Sequence, residues 1–329
     1  MNKMRLILHI GAAKCGSSAI QAYLSLNRAN LLNNGILSPD LELGLDSEFK
    51  GQQIWQIEKI AALENRVDVL TDVLEKLRAH MIQVGLHTLI ISAENISNRP
   101  DLAAVFQKAA TGFETQIVFY VRRQDDYLIS AWQQWDLKKE STLEQILDGQ
   151  RARNLDWNAI ISPWADSFGD GNVIIRAFRR DKLTDNDAVQ DFFWSLGLSQ
   201  ENCTPLPDAA NRSFNEHLGD LAHRIQDVFE NQHDNRFFSV IIDLLGNDGY
   251  KTGTASLLLT LEQRRKIMAG YDKSNQDLKR RFLPEFGDSP LFEAPTEKNV
   301  NTMSDIEKLR AENALLMRCV YKLAQKLQA

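Results

Sequence analysis

A chain of 329 residues, 43% apolar and 25% charged, has the makeup of a folded globular protein, not of a disordered one. With 44 acidic against 38 basic residues the net charge is -6, which excludes a general electrostatic affinity for nucleic acid or anionic lipid and makes any anion site local. The three cysteines, Cys15, Cys203 and Cys319, are too few and too scattered for a disulfide framework or a zinc site, and a reducing compartment fits them.

Along the chain, Arg5 to Ile10 reads as a buried strand, followed by a loop from Gly11 to Gly16 and a helix opening at Ser17 or Ser18. Ile20, Tyr23, Leu24 and Leu31 suit one face of that helix. A signal peptide does not fit here: the apolar run from Leu6 to Ala13 is short and contains His9, and Lys14 stands before Cys15 where a small residue is needed. No bilayer-length apolar stretch follows, so the expectation is a cytoplasmic chain without stable membrane insertion.

The loop has the five-residue glycine step of a Walker A motif, but its lysine is at position 14, before the second glycine, and Ser17 stands in the usual lysine place. Small residues at a helix start let backbone N–H groups converge on an anion, and a lysine adds a point charge. The loop alone is equally compatible with a glycine-bounded turn carrying a solvated lysine.

A helical pattern covers residues 57–82. Three more apolar runs read as parallel strands: TLIISA (88–93), QIVFYV (116–121) and NVIIRAF (172–178). Strands alternating with helices predict an α/β fold with a parallel sheet covered on both faces, in which ligands collect at the carboxyl ends of the strands. The segments after Ile10, Ala93 and Val121 are therefore the places to search. The third opens YVRRQDDYLISAWQQW, with Arg122 just past the strand and Ser130 one to two turns into a helix starting near Gln124. A guanidinium and a hydroxyl so placed could share a phosphate. The competing reading pairs the arginine with Asp125 or Asp126.

Glu94 follows the strand 88–93 and should emerge at the same sheet edge as the loop, which makes it the first candidate for a general base. His9 is second, although a satisfied core histidine explains it as well. Trp132, Trp135, Trp157 and Trp164 could line a sugar-binding cleft or simply pack a core, and Arg176, Arg179 and Arg180 could meet an acidic acceptor or only solvent. From about residue 187 the pattern is mostly helical, and 284–302 is turn-rich. Ile306, Leu309, Asn313, Leu316, Val320, Leu323 and Leu327 then follow at alternating steps of three and four, a heptad a/d pattern with leucine at d and one asparagine at a. This predicts a short coiled coil and a homodimer through 303–329; the alternative is an amphipathic helix docked on its own domain.

The wording HIGAAKCGSSAIQAYL, NNGILSP, ISAEN, FYVRRQDDYLISAW and RRKIMAGYDKSNQDLKRRFL, over about residues 5–292, resembles bacterial sulfotransferases that use 3'-phosphoadenosine 5'-phosphosulfate (PAPS), of the carbohydrate-sulfotransferase kind. The family usually has threonine where this chain has Cys15, and often at Ser17 and Ser18. The resemblance implies a three-layer P-loop-like domain over 1–292, a connector at 293–302 and the tail at 303–329. It further implies that Lys14, Gly16, Ser17 and Ser18 hold the 5'-phosphosulfate, that Arg122 and Ser130 hold the 3'-phosphate, and that the acceptor is a hydroxyl of a carbohydrate. No Walker B pattern is found and no metal is expected. The readings that compete are a P-loop nucleotide kinase or phosphotransferase, and a non-catalytic oligomeric scaffold that kept the fold.

Overall fold

The structure, a computed structural model, describes residues 4–45, 53–139, 143–148, 155–207, 213–251 and 255–328. At its centre is an α/β sheet of five strands in the order β2-β3-β1-β4-β5: β1 Met4–Gly11, β2 Ile36–Leu37, β3 Thr88–Ser92, β4 Phe113–Val121 and β5 Val173–Ala177. Every neighbouring pair is parallel. Helices flank the sheet, which explains why β1 is buried without interruption from Leu6 to Gly11. Adjacent residues of β4 show the two faces: the Phe119 ring meets Trp157, whereas the Tyr120 hydroxyl donates to Asp191 at 2.8 Å. The helix Trp157–Phe168 therefore covers one face and the helix Ala188–Ser195 the other.

The four apolar runs are strands, with adjusted ends. β4 starts at Phe113, ahead of its apolar run, because Phe113 and Thr115 continue the pairing to Met4 and Leu6 of β1. Strand β2 has only two residues, too few to show a period, and exists because the left-handed turn at Gly35 brings its carbonyl to the amides of His87 and Thr88. After the loop come two helices, α1 (Ser17–Leu26) and α2 (Arg28–Asn33). They join at Asn27, a buried residue whose side chain accepts from the Thr204 amide at 2.6 Å and donates to the Thr204 carbonyl at 2.9 Å. The 57–82 pattern is likewise two helices, α3 (Ile54–Ala61) and α4 (Arg66–Val84). Then α5 (Pro100–Ala109) leads into β4. Among the described residues no helix is long and apolar enough to cross a membrane.

The chain forms two compact units. The first comprises Met1–Arg122, Asp156–Ala210 and Lys273–Leu291, and holds the sheet; the second comprises Arg123–Leu155, Asn211–Asp272 and Phe292–Ala329. The second unit is helical, with α6 (Gln124–Gln134), then Glu216–His223 and Arg236–Leu245, and a tail helix Asp305–Gln328. Among its buried carboxylates, Asp125 takes Arg264 at 2.5 Å and Arg123 at 2.7 Å.

In the first unit the buried carboxylate of Asp191 gathers Arg176 through two bonds of 2.9 and 2.5 Å, the Thr184 amide at 3.0 Å and the Tyr120 hydroxyl. Burial pushes its pKa up, but Arg176, Thr184 and Tyr120 outweigh that and hold it below the ordinary aspartate value. Such a lowered carboxylate adds stability that is complete above its unfolded-state pKa and is lost as pH falls through the folded one. Asp191→Ala strands Arg176 and should cost about 3–5 kcal/mol at neutral pH. Urea unfolding at pH 7 and pH 3 checks this, with the gap to wild type narrowing at the acid end.

Candidate functional site

Strand order makes the site. From β1 the chain moves outward to β2, returns to β3, then crosses β1 to reach β4 and continues to β5. The connections leaving β1 and β4 thus diverge, and the crevice beyond their carboxyl ends is a topological switch point. Both Gly11–Gly16 and Arg122 lie there.

The loop is built from left-handed residues: φ is +116° at Gly11, +59° at Lys14 and +88° at Gly16. Gly16 is needed for two reasons, since a Cβ would also meet Ala188 at 2.8 Å and the Phe178 ring at 2.9 Å. Lys14 has no such freedom, and a lysine held left-handed is the kind of local strain that functional loops carry. The Ala12 amide donates to the Tyr120 carbonyl at 3.1 Å, and the Ser17 hydroxyl donates back to the Ala12 carbonyl at 3.1 Å, closing the turn. Gly16 is the N-cap of α1, Ser17 is buried inside the turn and Ser18 is exposed beside it.

Arg122 crosses to this loop. Its Nη1 donates to the Lys14 carbonyl at 3.0 Å and its guanidinium lies over the Phe178 ring, 5.8 Å from the centroid. Its own carbonyl accepts from Trp157 Nε1 at 2.8 Å, which fixes the end of β4. Asp125 and Asp126, the partners that competed for Arg122, are engaged by Arg123 and Arg264 in the second unit.

Glu94 is buried and follows Ala93, whose amide donates to the His9 carbonyl at 3.0 Å. The segment runs beside the loop, since a Cβ on Gly11 would stand at ordinary contact distance, 3.4 Å, from the Asn95 nitrogen. Burial raises the Glu94 pKa, and the charge of Lys14 opposes the rise. Reciprocally, burial lowers the Lys14 pKa, with Glu94 raising it and Arg122 lowering it further. Two cations and one carboxylate thus share a partly dehydrated edge.

The other candidates are placed elsewhere or act differently. His9 is wholly enclosed, its Nδ1 2.8 Å from Ser92 Oγ and its ring edge-on to Tyr120 and Phe192; burial lowers its pKa to about 3, so it is neutral. Ser130 is half-buried on α6 of the second unit. Cys15 lies beside a lysine and a helix start, which would favour its thiolate, but burial pushes the thiol up to about 12 against Arg122 and Lys14. Trp157 and Trp164 are core residues and do not line a cleft. Arg176 is spent on Asp191, and Arg179 on Asp181 and the Leu291 carbonyl. Among the described residues, His217, Asp220 and Glu312 of the second unit have ligand atoms within 4.8 Å of one another, and Arg224 pairs with Glu312 at 3.5 Å.

Phe178 was missed as a site residue, although it is the first residue beyond β5 and the rule that points to strand ends applies there too. Trp157 was a candidate for a cleft or a core; its bond to the Arg122 carbonyl, 35 positions away, had no signal in the sequence.

No family model matches the chain. It is 26% identical over 169 residues to an uncharacterised protein of Archaeoglobus fulgidus, a stretch equal to 51% of this chain and 46% of that one, so it spans about half the length of the curated relative. Among solved structures, a sulfotransferase from Alicyclobacillus acidocaldarius aligns with a TM-score of 0.38 and 16% identity over 62% of this chain and 87% of that chain.

A raised carboxylate pKa means that the folded state holds its proton more tightly, so stability falls as pH rises from the unfolded value of Glu94 through its folded one. Glu94→Gln removes that loss. The variant should melt above wild type at neutral pH and level with it in acid, by differential scanning calorimetry across the two conditions.

Proposed function

We propose that this chain is a sulfotransferase that moves a sulfuryl group from PAPS to a hydroxyl of a carbohydrate or glycan-type acceptor. The observation that carries the reading is the convergence of Lys14 and Arg122 on one left-handed loop at the switch point, with Glu94 buried beside Lys14. In a chain of net charge -6 that is a local site for a multiply charged anion.

The donor supplies an activated sulfuryl group whose S–O bond to the 5'-phosphate breaks during transfer. Lys14 takes the negative charge left on that phosphate, which explains a lysine inside the loop instead of after it. The first turn of α1 directs the amides of Gly16, Ser17 and Ser18 and the exposed Ser18 hydroxyl to the same group, while the Ser17 hydroxyl holds the turn through the Ala12 carbonyl. Arg122 binds the 3'-phosphate, the role the resemblance also gives to Ser130. Glu94 accepts the proton of the acceptor hydroxyl as the new S–O bond forms, and its raised pKa brings a carboxylate nearer to the basicity this step needs. The transferred group carries little charge, so no metal clamp enters the reading. The carbohydrate class rests on the likeness of ISAEN around Glu94.

Calorimetric titration with adenosine 3',5'-bisphosphate, without metal, tests the donor. Wild type should bind it, and Arg122→Ala should weaken binding about 10- to 100-fold, the worth of a hydrogen-bonded charged pair. If ATP with magnesium binds and the bisphosphate does not, the chain is a nucleotide kinase and this reading is wrong. For the chemical step, Lys14→Ala should lower kcat by about 10²–10³. Glu94→Gln should lower kcat by about 10²–10⁴ with bisphosphate affinity retained, and should abolish the acid limb of the wild-type pH profile.

A further inference from the structure

The tail helix has two faces, and its own unit uses only one. Glu312 and Leu315 are buried, with Cys319 packed beside them on the core formed by Leu218, Leu245 and Leu315. Lys322 extends this docked face by donating to the Leu245 carbonyl at 3.0 Å, and Arg318 pairs with Asp248 at 2.6 Å. In heptad terms this face consists of c and g positions, with Arg318 at the adjoining f. The a/d seam points away from it: Ile306, Leu309, Leu316, Val320, Leu323 and Leu327 are all between 47% and 81% exposed. Docking and self-association are therefore not alternatives for this helix, because they call on different faces.

We infer that the exposed seam pairs with the same seam of a second copy of the chain, in parallel and in register. Three features select that occupant. The pattern is self-complementary, with leucine at each d position and a single asparagine at a, so that Asn313 meets Asn313 of the second copy and both amides are satisfied. In the antiparallel arrangement the same amide would face an aliphatic side chain. Charge agrees as well: Asp305 at g lies opposite Arg310 at e of the second copy, and the reciprocal pair repeats across the dyad. Finally, three heptads are marginal for isolated helices that must fold on pairing. Here Leu315 and Glu312 already hold the helix on its own unit, so association does not have to order it first.

Sedimentation velocity on the full chain, over a dilution series in the micromolar range, gives the first readout. Wild type should sediment at twice the chain mass of 37.4 kDa. Leu316→Glu with Leu323→Glu should halve that mass while far-UV circular dichroism stays unchanged, since neither residue belongs to the docked face. A monomeric wild type, or a double variant that stays dimeric, overturns the inference. Ile306→Cys reads the direction of pairing. In a parallel pair the two introduced thiols are adjacent, whereas in an antiparallel pair they lie roughly 30 Å apart, 21 residues at helical rise. Mild oxidation should yield a covalent dimer above the background of wild type treated alike. A dimer that does not cross-link overturns the parallel register.

Discussion

Strand β1 is hydrogen-bonded along both edges, to β3 on one side and β4 on the other, and its carboxyl end is consequently held at a set height in the sheet. The loop that follows inherits that position. Its first residue is tied to Tyr120 of β4, its middle is reached by Arg122 from the end of the same strand, and the Glu94 segment is anchored to His9 through Ala93. Remove the double pairing and the three charged groups lose their common frame, because each arrives on a different connection.

The chemistry of the edge follows from burial acting on charges of opposite sign. Dehydration penalises Lys14 as a cation and Glu94 as an anion, and each offsets part of the other's penalty. The same burial raises the Cys15 thiol and lowers the His9 imidazole, so that it favours the neutral form of each. One physical cause thus sorts the titratable groups near the loop into those that stay poised and those that do not.

Much of this was legible. Buried parallel strands must be nearly continuous apolar runs, and LILHI, TLII and IVFYV are such runs. Glycines at 11 and 16 mark positions where the backbone needs left-handed angles, and the strand-end rule then leads to Lys14, Glu94 and Arg122. The two-residue β2 was not legible, since so short a strand has no period and depends on the Gly35 carbonyl. Nor was the break of the 57–82 pattern into two helices, because the apolar spacing runs across it.

What the sequence by itself determined is therefore local and periodic: strands, the glycine-bounded turn and a tail helix with a heptad seam, each set by residues close together in the chain. What Arg122 pairs with was decided by the tertiary structure, where Arg123 and Arg264 take Asp125 while Arg122 donates to the Lys14 carbonyl from a strand end fixed by Trp157. So were the two faces of the tail helix: periodicity names an apolar stripe, but only packing against Leu218 and Leu245 shows that a different stripe is the one consumed. The physical reason is common to both. Desolvation and side-chain partnership depend on which distant residues come within a few ångströms, and spacing along the chain does not contain that information.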